Sequence, residues 1–170
     1  MLGASDCGVL IDFDSAYIIE SSGNTGRGKR TGTIPFMALE LLADMHLNNN
    51  QPHLYRHDVE SFIWTFAFVL LNETCHRVQS WLTSDPLISL AKKTAFLELP
   101  LQVTILLPFV KANFEAQWPL VIELLTWLEK VLHQRREYRG SDFYPEPNPE
   151  QIFKEVCAII EKYLPEEQCP

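Results

Sequence analysis

Between Phe62 and Leu71 the chain reads "FIWTFAFVLL", an apolar run broken only by Thr65. A helix through this stretch has no polar face, so it belongs in an interior with other elements packed around it. At ten residues the run is far too short to cross a bilayer. Asp58 is placed to cap such a helix, which is expected to continue to about Asn72.

The rest of the chain supplies partners for it. Met37 to Asp44 reads as a short helix, and Asp85-Pro86 gives a cap and first-turn proline for a helix through about Leu97. Residues 96 to 110 are apolar but interrupted by Pro100 and Pro108, which favours short helical turns over one long element. Val121, Leu124, Leu125, Leu128, Val131 and Leu132 form one stripe on a helix starting near Pro119. Asn148-Pro149-Glu150-Gln151 is a capping-box pattern, and Ile152, Phe153, Val156, Ile159, Ile160 and Leu164 are expected to form the buried face behind it. Before all of these, Gly8 to Phe13 reads as a strand and the stretch from Ser21 to Thr33 as a glycine-rich loop. The expected fold is therefore one mainly α domain over residues 1–170, with a short N-terminal β-hairpin or strand.

Charge and cysteine usage narrow the classes of function. A net charge of -8, with basic residues clustered only at Arg27-Gly28-Lys29-Arg30, argues against nucleic acid or an anionic membrane as partner. Cys7, Cys75, Cys157 and Cys169 have no metal-ligand spacing and are expected to be reduced thiols, as in a cytoplasmic or nuclear protein. The first residues resemble neither a signal peptide nor a transit segment.

Singly, the candidate sites are ordinary. Asp12 and Asp14 end a strand, where a solvated turn is the common explanation. His53 and His57 lie four apart, but Pro52 interrupts the segment and a third metal ligand is missing. No G-x-S-x-G elbow is present, and "GNTGRGKRTGT" lacks the spacing of a phosphate-binding P-loop.

In order, they say more. "GVLIDFDSA", "RTGTIPFMALELL", "HLYRHDVESF" and "SWLTSDPLISLAKKTAFL" follow one another as an acid-aromatic-acid turn, a loop, a closing segment and the helical body. This order resembles the second half of a protein kinase domain, and its wording resembles the fungal-type protein kinase family over roughly residues 8–98. The implied architecture is a kinase C-lobe-like helical domain. Asp12-Phe13-Asp14 lies where kinases carry Asp-Phe-Gly, and Ala38-Leu39-Glu40 where they usually carry Ala-Pro-Glu.

The resemblance implies a role for each matched residue. Asp12 would ligate the magnesium that bridges the phosphates of ATP, a task for a hard oxygen donor. Phe13 would pack inward and set the position of the turn. Thr31, Gly32 and Thr33 would lie where the activation segment meets the protein substrate, although polar residues in a glycine-containing turn account for them equally well. Arg27, Lys29 and Arg30 are placed to hold a phosphorylated Ser or Thr. Glu40 would anchor the segment through a buried ion pair, its partner being Arg135 or Arg136. Asp58 would accept backbone N–H groups of the catalytic loop, a structural role.

The same family also needs a glycine-rich loop, a strand lysine and a His-Arg-Asp-x-x-x-x-Asn catalytic loop, and none of these occurs in the 170 residues. No catalytic base is therefore assigned. Without those groups, phosphoryl transfer by this stretch alone is not expected, nor is binding of magnesium or ATP by it alone. "MLGASDCGVLIDFD" fits the hairpin that follows a catalytic loop, so Met1 is expected to be an internal methionine of a longer kinase. The alternative is a stand-alone, non-catalytic helical module or pseudokinase C-lobe that binds a partner protein through an exposed apolar patch.

Overall fold

A computed structural model describes residues 33–47, 52–71, 73–98, 103–137 and 148–164. The chain divides into units Met1–Arg30 and Thr31–Pro170, and all described residues belong to the second. The strand expected at Gly8 to Phe13 lies outside them, as does nearly all of the glycine-rich loop.

The described part is helical. A 3-10 turn at Ile34–Phe36 leads into α1 (Leu39–Leu47), followed by α2 (Tyr55–Leu70), α3 (His76–Gln79), α4 (Pro86–Glu98) and α5 (Val103–Leu106). Further 3-10 turns at Leu107–Phe109 and Ala112–Gln117 lead to α6 (Trp118–Glu137), and α7 (Pro149–Glu161) closes the order. The mainly α expectation holds. No described helix is long and apolar enough to cross a membrane.

Packing runs in two directions from α2. On one side α6 presents Val121, Leu124, Leu125 and Leu128, all buried, and α7 packs on α6. On the other, α1 packs on α4. Trp64 of α2 meets Trp81 and Phe96 edge-on, with ring centroids 5.2 and 6.4 Å away, and Trp81 meets Phe96 at 5.0 Å. Edge-to-face contact sets the positive rim of one ring against the negative face of the next, which fixes geometry as well as burying area.

Helix ends follow local chemistry. Asp85 Oδ1 accepts the N–H groups of Leu87 and Ile88 at 2.8 and 3.2 Å, the cap expected for α4. After α2, Lys111 N–H donates to Leu70 O at 2.9 Å and Lys111 Nζ to Val69 O at 2.7 Å, satisfying carbonyls the helix itself leaves open.

Several expectations need correction. α2 begins at Tyr55, not Asp58, and ends at Leu70. Leu54 precedes it, and its N–H donates to Nδ1 of His57, 3.1 Å away. The buried imidazole thus satisfies the N–H of the residue before the helix, the role a third-position side chain takes in a capping box, while Leu54 offers no side-chain cap of its own. Nor is α2 enclosed on all sides: Phe62 and Val69 are 50% and 43% exposed, because its neighbours cover only part of its circumference. On α7 Phe153 is 56% exposed, and Leu164 lies past the end of the helix at 60%, so the buried face is the narrower set Ile152, Val156 and Ile159. Asn148 Oδ1 does accept Glu150 N–H at 2.9 Å, but the Gln151 side chain turns away to Glu155, so the cap is not a reciprocal box.

Candidate functional site

The segment ending in Glu40 is the part of the expected site that the structure describes. Thr33 is exposed and extended, and its carbonyl accepts the Phe36 N–H at 2.8 Å to start the 3-10 turn. Pro35 supplies the fixed φ that such a turn requires. Phe36 meets Phe68 of α2 edge-on at 5.2 Å, and Met37, Ala38 and Leu39 are buried.

Two buried polar groups grip the backbone here. Leu39 N–H donates to Glu60 Oε1 at 2.7 Å, and the same oxygen accepts the Trp64 indole N–H at 3.0 Å. From α4, Lys93 Nζ donates to the Met37 carbonyl and lies 4.5 Å above the Trp64 ring. Burial pushes the Lys93 ammonium down to about 7, with the negative charge of Glu60 opposing. These contacts give Leu39 a physical reason: its N–H is in use, and a proline at this position has none to give.

One residue further on, Glu40 gathers cations from two helices. Its Oε2 accepts from Arg56 Nη1 at 2.5 Å, His57 Nε2 at 3.1 Å and Arg135 Nη2 at 3.4 Å. Nδ1 of His57 accepts the Leu54 N–H, and Nε2 faces both Glu40 Oε2 and Arg56 Nη1. The hydrogen bond from His57 and the charges of Arg56 and Arg135 outweigh burial and hold the carboxyl at about 2. Of the two arginines at the end of α6, Arg135 reaches Glu40, while Arg136 pairs with Glu98 at 3.7 Å. One carboxylate thereby ties α1 to α2 and to α6.

The remaining candidates fall elsewhere. Asp58 is largely exposed and pairs with His53 at 2.8 Å. Asp12, Phe13, Thr31 and Gly32 lie outside the described residues, as do Arg27, Lys29 and Arg30. No group of three His, Cys, Asp or Glu side chains suited to a metal occurs among the described residues. Sequence reasoning missed Arg56, Glu60 and Lys93, and weighed His57 only as a metal ligand. The Glu60-Trp64 spacing of four and the presence of Lys93 on the Ser89-Phe96-Leu97 face of α4 were the available signals.

The comparisons bear on this same region. No curated protein and no solved structure matches the chain. The family model for fungal protein kinases matches residues 3–70, ending where α2 ends, so the "SWLTSDPLISLAKKTAFL" stretch lies beyond it. The match takes in the acid-aromatic-acid turn, the closing segment with Glu40 and the helix that receives it, and over this stretch, less than half of its length, the chain is similar to fungal protein kinases.

Proposed function

We propose that this chain is C-lobe sequence of a fungal-type Ser/Thr protein kinase, supplying the magnesium-binding acid and the end of the activation segment, and inactive without the other half of the site. The observation that carries the reading is the Glu40 cluster. The carboxylate that ends the matched closing segment is locked to α2 by Arg56 and His57 and to α6 by Arg135. Such an anchor gives a substrate-binding segment a fixed base, and phosphoryl transfer depends on positioning above all. Asp12 is the residue proposed to hold magnesium. The lysine, glycine-rich loop and catalytic-loop base would have to come from other sequence.

The test is phosphate incorporation from γ-labelled ATP with magnesium into a mixed Ser/Thr protein substrate. The 170-residue chain alone is expected to give none, and transfer above background overturns the reading of inactivity. Transcript sequence upstream of the Met1 codon supplies the second arm. An in-frame His-Arg-Asp-x-x-x-x-Asn supports kinase C-lobe sequence; an in-frame stop favours the non-catalytic module.

That second reading draws on the exposed side of α2, where Phe62 stacks on Phe66 at 5.8 Å and Val69 is also uncovered. It predicts a folded chain with no thermal stabilisation by magnesium-ATP and a partner protein lost on Phe62→Ser substitution.

A further inference from the structure

Lys93 is the least expected group in the core. It is fully buried, on a face of α4 otherwise made by Ser89, Phe96 and Leu97. A leucine or methionine would fill this space without taking a charge out of water, so packing alone does not account for a lysine here. Among the described contacts, the amine has one hydrogen-bond acceptor, the Met37 carbonyl, and one ring face, that of Trp64. The carbonyl and the ring face each favour an ammonium, but complete removal from water favours the neutral amine and is the larger effect.

Glu60 holds the other side of the same short backbone stretch through the Leu39 N–H. We propose that Lys93 and Glu60 form a proton-controlled clamp on residues 37–39. It is closed when the Lys93 amine is neutral, and it opens as the amine takes up a proton and moves to water. The clamp concerns the chain's own packing and does not depend on phosphoryl transfer.

The groups facing Lys93 set the window. From α2 the charged group acting on it is Glu60, which favours the protonated form without overcoming burial. From α1, which packs on α4, the buried acid is Asp44, and the Ile34–Phe36 turn has no titratable side chain. His76 and Arg77 of α3 are exposed, as is Lys92 on α4 itself. The closed state holds the amine at about 7, against an ordinary value of 10.5 once it is open to water. Opening therefore binds a proton between these limits, and its equilibrium constant rises as pH falls, levelling off below about 7. From pH 8 to pH 6 the rise is about tenfold.

Hydrogen exchange on the 170-residue chain tests this, read at the Leu39 amide with Val156 of α7 as reference and corrected for intrinsic rates. The expected result is an opening constant at Leu39 about tenfold larger at pH 6 than at pH 8, with Val156 unchanged. Equal values at Leu39 overturn the clamp, and a parallel change at Val156 overturns its local character. Lys93→Met should flatten the dependence, and its persistence in that variant assigns it to another group. Should Lys93→Met fail to fold, direct NMR titration of the Lys93 amine in the unaltered chain decides. A midpoint near 7 supports the clamp, and one near 10 sinks it.

Discussion

Replacing Glu40 with glutamine keeps the shape of the side chain and removes its charge, leaving Arg56 and Arg135 facing a neutral amide. Their side chains are only 11% and 19% exposed, so water screens poorly the charges that Glu40 no longer balances. Holding the carboxyl at about 2 instead of 4.5 corresponds to roughly 3 kcal/mol, at a little over 1 kcal/mol per pH unit. Glu40 itself is 30% exposed, and solvent screening reduces this to about 2 kcal/mol. The sign follows from the depressed value. The contribution is fully present above pH 4.5 and is lost as pH falls towards about 2. Urea denaturation of both chains at pH 7 and pH 3 is the assay. Glu40→Gln should lose about 2 kcal/mol at pH 7 and less than half of that at pH 3. A loss below about 0.5 kcal/mol at pH 7, or one that does not shrink at pH 3, would refute the reasoning.

Other substitutions read separate parts of the structure by the same urea midpoint. Leu39→Pro removes the donor to Glu60 and should cost about 1–3 kcal/mol, even though the position opens a helix where proline is usually accepted. Asp85→Ala removes the acceptor for two N–H groups of α4 and should cost about 1 kcal/mol. Ile152→Ala should cost about 2–5 kcal/mol, whereas the neighbouring Phe153→Ser should stay within about 0.5 kcal/mol; equal costs would mean that α7 is rotated from the face described.

The sequence by itself determined the helical character, because proline, capping residues and apolar spacing act over three or four residues. Asp85-Pro86 marked the start of α4, and the Val121-Leu124-Leu125-Leu128 stripe marked the buried face of α6. It also singled out Glu40 and the pair of arginines from which its partner on α6 came. It misplaced the start of α2, because the helix begins at Tyr55 after a leucine that offers no side-chain cap, its entry held by the His57 imidazole on the Leu54 N–H. It overstated the burial of Phe62 and Phe153, since hydrophobicity says what a side chain prefers and not whether a neighbour is available to cover it.

Only the tertiary structure decided the polar interior. That Arg135 and not Arg136 meets Glu40 depends on the rotation of α6, one residue being a turn of about 100° on a helix. That Lys93 and not Lys92 is buried depends likewise on how α4 lies against α1 and α2. Periodicity fixes which residues share a face, but long-range packing fixes which face meets a carbonyl, a ring or a carboxylate.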